Sequence, residues 1–154
     1  MYLLTQLLTK DCIQLSNFVQ SWQEAIRLAA NPLVRQNKIE QRYIEAMIQS
    51  IEQSGPYVVI TPKVAIPHAR PTDGVHALAM SLLRLQKPVF FSPNHPVFLI
   101  IVLAATDNAS HLQALVDLTL VLQDSDQIDS LIACQHEDAI WEKIKQYTTK
   151  ESTE

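Results

Sequence analysis

One histidine in this chain follows a short apolar segment and precedes a turn, an arrangement that can expose an imidazole for chemistry. His68 comes directly after residues 64–67, in which apolar residues alternate with alanine and end in Pro67, which cannot donate to a sheet ladder. Residues 71–74, Pro-Thr-Asp-Gly, have the residue types of a tight turn. An imidazole with a pKa of about 6.5 is a nucleophile at neutral pH. The pattern predicts a strand-end histidine on a fixed loop, and a histidine that only satisfies a backbone group fits it too.

A second histidine is predicted at the start of a helix that follows the most apolar segment. Residues 97–105 are all apolar, and Ser-His-Leu-Gln at 110–113 has the spacing of a capping box, which places His111 in the first helical turn. Ligands collect at strand ends in open α/β sheets, and a helix N-terminus offers N–H groups to an anion. The pattern predicts a site for a phosphoryl group there. An exposed histidine without a function is the alternative.

The other histidines and the two cysteines have no comparable surroundings. His76, His95 and His136 are predicted to face solvent, and no pair of histidines has a spacing typical of metal ligands. Cys12 and Cys134 lie far apart and are predicted to be buried free thiols. We therefore predict no metal site and no catalytic cysteine.

Composition excludes several classes of function. A net charge of -4 with 12 Lys and Arg residues gives no basic surface for nucleic acid, and two glycines cannot build a Walker or dinucleotide loop. The longest apolar run has nine residues, 97–105, whereas a membrane helix needs about 20, and residues 1–6 do not resemble a secretion signal. We expect one cytoplasmic domain over residues 1–154, without membrane insertion.

The periodicity of apolar residues predicts the elements that position the two histidines. A capping box at Ser21 begins a helix that Pro32 is predicted to kink or to end near Ala30, and a second helix spans 43–51 and stops at Gly55. Strands are predicted at residues 12–15, 57–60, 64–66, 77–85 and 97–105, and helices from residue 112 to the end. This order predicts an α/β sandwich with a mixed sheet as its middle layer.

The residues around His68 resemble the phosphorylation-site motif of a known family. Residues 65–71, Ala-Ile-Pro-His-Ala-Arg-Pro, are similar to the motif of the enzyme IIA components of the bacterial sugar phosphotransferase system, in the mannitol/fructose (type 2) superfamily. The similarity is greatest to the ascorbate-specific branch. Residues 22–26, residues 54–60 and His111 with its following leucines occur in the family's order, so the resemblance extends over residues 3–147.

The resemblance implies both a fold and a function. The fold is a three-layer sandwich with a central mixed β-sheet flanked by helices on both faces. The function is that of a phosphocarrier, which accepts phosphate from phospho-HPr on His68 and passes it to a cysteine of enzyme IIB, for uptake of an ascorbate-like sugar through the membrane enzyme IIC. The family carries a second histidine at the place of His111, which stabilises the phosphoryl group, and it uses no cofactor or metal. The resemblance also implies phosphorylation at Nε2, with the other ring nitrogen held by a backbone acceptor.

One departure from the family concerns a cation. The mannitol and fructose branches carry an arginine in a Met-x-x-Arg-Glu setting, and residues 47–52 match that stretch without the arginine. Arg70 is an alternative source of a guanidinium for phosphate oxygens, and a solvated turn residue is the equal alternative for it.

Two other functions remain open from the sequence. The first is a regulatory protein like enzyme IIA whose phosphorylation state controls a partner, and the second is a degenerate domain that only binds partners. Neither cysteine is followed by the glycine- and hydroxyl-rich loop of a phosphate-binding thiol, so the enzyme IIB part is not expected in this chain.

Overall fold

The computed structural model describes residues 4–152, so the two ends of the predicted domain, 1–154, lie outside the described residues. Six α-helices and four β-strands occur in the described part. They are α1 (Leu4–Leu7), β1 (Ile13–Ser16), α2 (Trp22–Arg35), α3 (Gln41–Ser54), β2 (Lys63–Ala65), β3 (Ala79–Phe90), β4 (Pro96–Ala104), α4 (Asn108–Leu122), α5 (Ser125–Ile132) and α6 (Glu137–Ser152). No helix among residues 4–152 is long and apolar enough to cross a membrane.

The four strands form one mixed sheet, in the order β1-β3-β4-β2. Strand β1 runs parallel to its neighbour β3, and strand β2 runs parallel to its neighbour β4. The two central strands, β3 and β4, are antiparallel to each other. Every residue of β4 from Leu99 to Ala104 is buried. Because successive side chains of a strand point to opposite faces, both faces of the sheet are covered. The predicted α/β sandwich with a central mixed sheet is confirmed.

Helices pack on this sheet in two groups. Helix α2 packs on β3 and β4 and contacts α3, while α4, α5 and α6 contact β4, β3 and β1 respectively. The buried face of α3 consists of the predicted apolar residues, Tyr43, Ile44, Met47, Ile48 and Ile51. Gly55 caps the C-terminus of α3, and its φ of 86° is in the region that favours glycine. The sequence therefore predicted both the existence and the orientation of α3.

Helix α2 continues through a proline that was predicted to kink or end it. The helix reaches Arg35 and contains Pro32 in its interior, so of the two predicted alternatives an end near Ala30 is wrong. A proline has no N–H, which leaves the carbonyl of Leu28 without its intrahelical donor. In this fold Gln14 Nε2 of β1 donates to that carbonyl at 2.7 Å. The hydrogen bond offsets one of the two costs of an internal proline.

Residues 57–60 were predicted as a strand but form a turn instead. The N–H of Tyr57 donates to Gly55 O at 2.9 Å, and the N–H of Val59 donates to Pro56 O at 3.0 Å. These local bonds use the N–H groups that a sheet ladder would need, and the preceding glycine and proline favour the turn. The segment keeps one strand-like bond, from Ile66 N to Val58 O at 2.9 Å.

The remaining predictions hold with shifted bounds. Strand β3 begins two residues later than predicted and continues to Phe90, beyond residue 85. Both cysteines are buried and unpaired, as predicted. Helix α2 begins after Ser21, whose Oγ accepts from Glu24 N at 3.1 Å, as the capping box required.

Candidate functional site

His68 lies in a loop at the C-terminal end of β2. Strand β2 ends at Ala65, and the carbonyl of Pro67 still accepts from Leu103 N of β4 at 3.1 Å. Together with the bond from Ile66 N to Val58 O, this contact fixes the backbone just before the histidine. The imidazole itself is half-buried. The predicted strand-end position is therefore confirmed.

A backbone carbonyl selects the tautomer of His68. The ring nitrogen Nδ1 lies 2.9 Å from Ile66 O. A carbonyl oxygen can only accept, so Nδ1 carries the proton and the neutral ring keeps its lone pair on Nε2. The same bond fixes the direction of the ring. His68 thus presents one nucleophilic nitrogen in one orientation.

A buried tyrosine holds the other side of this loop. The Tyr43 hydroxyl of α3 donates to Leu103 O at 2.7 Å and accepts from Ala69 N at 3.0 Å. Burial raises the pKa of Tyr43 to about 12, so the hydroxyl keeps its proton at neutral pH. The sequence predicted Tyr43 only as part of an apolar face. Its hydroxyl joins α3, β4 and the residue after His68.

Replacing Tyr43 with phenylalanine is expected to destabilise the protein. The variant keeps the ring but leaves Leu103 O and Ala69 N without this partner, and each unpaired buried group costs about 1–3 kcal/mol. The measurement is the free energy of unfolding in denaturant. Tyr147→Phe, on α6, is the matched control and should change it by about 0.5 kcal/mol or less. Equal stability of the two variants would contradict the role of the hydroxyl.

The helix that carries His111 begins earlier than predicted. Helix α4 starts at Asn108, and its cap is Asp107, whose Oδ1 accepts from Ser110 N at 2.7 Å. An aspartate at the N-cap is both a good acceptor and a favourable charge beside the helix dipole, so it is preferred over Ser110. The hydrogen bond from Ser110 N lowers the pKa of Asp107.

This shift changes what the helix start can offer to an anion. His111 is the fourth helical residue rather than a first-turn residue, and its N–H donates to Asp107 O at 3.1 Å. The predicted helix start at Ser110 is wrong, because Asp107 caps the helix three residues earlier. The backbone N–H of His111 is therefore used within the helix, and its imidazole is the group that can meet a phosphoryl group.

The structure brings the two predicted histidines together. Their ring centroids are 4.9 Å apart, with an angle of 56° between the ring planes. Burial, and then the charge that His68 can carry, lowers the pKa of His111. A neutral His111 ring therefore lies beside the His68 ring at pH 7.

Arg70 lies at the entrance to the same site. Its side chain is 83% exposed, and its Nε is 3.4 Å from Asp73 Oδ2. The backbone N–H of Arg70 donates to the same carboxylate oxygen at 3.0 Å, which fixes the turn at Pro71–Asp73. The predicted turn is confirmed, with Gly74 at a φ of 120°. A weak exposed ion pair leaves the guanidinium able to move toward an anion.

Two further polar residues of the site were missed by the sequence analysis. The Tyr57 ring meets His68 edge-on, with centroids 6.1 Å apart, and its hydroxyl lies 2.7 Å from Ser50 Oγ. Ser50 is in the stretch where other branches carry an arginine. The Gly55-Pro56 turn signal could have identified Tyr57 as a loop residue.

These side chains line one open cleft of about 490 Å³. Helix α3 contributes the polar residues Gln49, Ser50 and Gln53, and the loops and α4 contribute Tyr57, His68, Arg70, Asn108 and His111. Within the described residues, no group of three or more His, Cys, Asp or Glu side chains could hold a metal ion. The cleft is suited to a small anion on an imidazole nitrogen.

The three remaining histidines lie outside this cleft. His76 and His136 are exposed, as predicted, and His76 Nε2 is 3.3 Å from Glu40 Oε2. His95 is half-buried and bonds through Nδ1 to Ser92 Oγ, so its prediction as a solvent-facing residue is wrong. None of them contacts His68.

The sequence matches a protein family over nearly its whole length. The family is described as "Phosphoenolpyruvate-dependent sugar phosphotransferase system, EIIA 2", and the match covers residues 6–147. The chain is 36% identical to the ascorbate-specific PTS system EIIA component of Escherichia coli K12, over 86% of this chain and 88% of that protein.

Solved structures show the same fold. The mannitol-specific cryptic phosphotransferase enzyme IIA CmtB from Escherichia coli has a TM-score of 0.86 at 32% identity, over 93% of this chain and 98% of that one. Enzyme IIA MTL from Escherichia coli, solved in a complex with phosphorylated enzyme IIB MTL, has a TM-score of 0.80 at 25% identity. That similarity covers 91% of this chain and 99% of the other.

Proposed function

Because the chain belongs to the EIIA 2 family of the phosphoenolpyruvate-dependent sugar phosphotransferase system, we propose that it is a cytoplasmic phosphocarrier with His68 as its acceptor. His68 receives a phosphoryl group from phospho-HPr and passes it to a cysteine of enzyme IIB. The observation that carries this proposal is the bond from His68 Nδ1 to Ile66 O, which leaves the Nε2 lone pair available in the cleft.

Both transfer steps balance without a cofactor. In the first step, the Nε2 lone pair forms a bond to phosphorus while the N–P bond of the donor phosphohistidine breaks and its electron pair returns to the donor. In the second step, a thiolate sulfur forms the S–P bond and the Nε2–P electron pair returns to His68. Nδ1 keeps its proton throughout, so the phosphorylated ring is cationic and a good leaving group. Loose phosphoryl transfer needs mainly positioning and charge stabilisation.

His111 and Arg70 supply that stabilisation in this proposal. The His111 ring, 4.9 Å from that of His68, is close enough for an N–H to reach a phosphoryl oxygen on the neighbouring nitrogen. The Arg70 guanidinium reaches the same group from the solvent side, after leaving its weak pair with Asp73.

A protein partner fits the surface beside the cleft. Leu112 and Val116 are 63% and 52% exposed and lie four residues apart on one face of α4, directly after His111. Exposed apolar side chains grouped in this way are typical of interaction surfaces. We assign this surface to enzyme IIB, since a relative of similar fold was solved with its own phosphorylated enzyme IIB.

Ascorbate is the proposed sugar, taken up through enzyme IIC. The support for this proposal is that relatives 36% identical to this chain are named as ascorbate-specific EIIA components.

The test is a reconstituted relay with purified components. Phospho-HPr should label the wild-type protein, and added enzyme IIB should remove the label. The phosphate on the isolated protein should be lost in acid and kept in alkali, as expected for a phosphoramidate. An acid-stable label would show a hydroxyl acceptor, and an unlabelled protein would contradict the proposal.

A further inference from the structure

A hydroxyl pair lies in the cleft beside His68, on the side away from the sequence motif. The Tyr57 hydroxyl and Ser50 Oγ are 2.7 Å apart, and both residues line the cleft. We propose that Tyr57 is a further catalytic residue, whose hydroxyl donates a hydrogen bond to an oxygen of the phosphoryl group on His68 while Ser50 holds it in place. This inference rests on the proposed function and adds a residue to the same site.

The position of Tyr57 relative to His68 supports the assignment. The two rings meet edge-on at 87°, with centroids 6.1 Å apart, and both residues line the same cleft, so the Tyr57 side chain lies beside the imidazole that would carry the phosphoryl group. His111 contacts His68 through a different, tilted arrangement. Donors from α3, from the turn after it and from α4 thus surround one imidazole.

The proton count leaves the phenol free to donate. A serine and a tyrosine hydroxyl each have one proton, and only one of them is used in a single bond between the two. When Ser50 donates to Tyr57 Oη, the O–H of Tyr57 is available for a phosphoryl oxygen. The described residues offer neither hydroxyl another partner. A phosphoryl group, with three equatorial oxygens, can replace solvent as the acceptor of this O–H.

The backbone conformation, rather than side-chain packing, sets the position of Tyr57. The side chain is 46% exposed, although burial of an aromatic ring is favourable. The turn that begins at Gly55, with its φ of 86°, sets its position. The next residue, Val58, is buried and accepts from Ile66 N at 2.9 Å, which couples this turn to the strand before His68.

The charges of His111 and Arg70 explain why a neutral donor such as the Tyr57 hydroxyl matters for phosphoryl transfer. His111 is neutral at pH 7, because burial and then His68 lower its pKa, and Arg70 is exposed and paired with Asp73. A neutral donor held beside His68 therefore adds stabilisation that depends neither on protonation of His111 nor on a movement of Arg70. Tyr57 is the one whose partner, Ser50, already holds it in position.

The experiment measures single-turnover transfer from phosphorylated protein to purified enzyme IIB. Tyr57→Phe keeps the ring and removes the donor, and the saturating rate should fall about 10-fold, below the 10²–10³ of the best-studied oxyanion holes because other donors remain. The enzyme IIB concentration for half-maximal rate should not change. Ser50→Ala should cause a smaller loss, and the double variant should equal Tyr57→Phe, since both act through one hydroxyl. Tyr147→Phe on α6 is the matched control.

A second readout does not depend on the rate. The ³¹P resonance of phosphorylated His68 should shift in Tyr57→Phe and not in Tyr147→Phe, because a direct hydrogen bond to the phosphoryl group is lost. An unchanged rate and resonance, in a wild type that is labelled normally, would overturn this inference and leave the proposed function intact. Additive losses for Ser50→Ala and Tyr57→Phe would overturn the role of Ser50. A wild type that takes no label would overturn the proposed function itself.

Discussion

Replacing His68 with alanine is expected to abolish phosphoryl acceptance while leaving the fold intact. The variant removes the nucleophile, and no group in the cleft takes its place, because His111 has a different orientation and Arg70 stays protonated. The structural loss is small, since His68 is half-buried and makes one hydrogen bond, to Ile66 O, worth about 1 kcal/mol. The His68→Ala variant should therefore lose phosphoryl acceptance while its stability changes little.

The measurement is incorporation of labelled phosphate from phospho-HPr, with circular dichroism as the check on folding. His76→Ala is the control, because His76 is exposed and lies outside the cleft, and it should be labelled like the wild type. Retained label in His68→Ala would move the acceptor elsewhere, and His111 would be the first candidate. Loss of label in both variants would point to a damaged donor surface instead.

The part of the site that follows from local sequence was predicted well. Pro67 cannot donate to a ladder, and the turn from Pro71 to Gly74 has strong residue preferences, so the exposure of His68 depends on neighbours within a few positions. The burial of β4 follows from its own apolar run. Such features need no knowledge of the remaining fold.

Features that depend on distant residues could not be predicted in this way. Pro32 stays inside α2 with the help of Gln14, whose side chain reaches the freed carbonyl of Leu28 from strand β1. The double role of the Tyr43 hydroxyl needs β4 and the loop after His68 at once. The sequence shows these residues but not the contacts among them.

The start of α4 was predicted wrongly for a different reason: two residues near it are both favourable N-caps. Both Asp107 and Ser110 are favoured N-cap residues, and the capping-box spacing pointed to Ser110. In the structure Asp107 is the N-cap, and Ser110 donates hydrogen bonds to its carboxylate through the backbone N–H and Oγ. A difference of three positions places the backbone N–H of His111 inside the helix and leaves the predicted side-chain contact of its imidazole unaffected.

His111→Ala is expected to slow phosphoryl transfer with little change in stability. The side chain is half-buried and lies on the second turn of α4, so its loss should cost about 1 kcal/mol or less of unfolding free energy. Removing a donor aimed at developing charge costs about 10²–10³ in rate in well-studied sites, and we expect about 10² here because other donors share the phosphoryl group. His111→Gln keeps an N–H donor and should retain more of the rate.

The dependence of this effect on pH separates a donor from a structural residue. In the unphosphorylated protein the pKa of His111 is lowered, by burial and then by His68, and a phosphoryl group beside the ring favours its cationic form and raises that pKa. Below the raised pKa the ring is cationic and stabilises the group more strongly. The ratio of wild-type to His111→Ala rates, measured in single-turnover transfer to enzyme IIB, should therefore increase as the pH falls through that pKa. A ratio near one at every pH would make His111 a bystander. A large ratio that is independent of pH, with no recovery of rate in His111→Gln, would show that it only supports the position of His68.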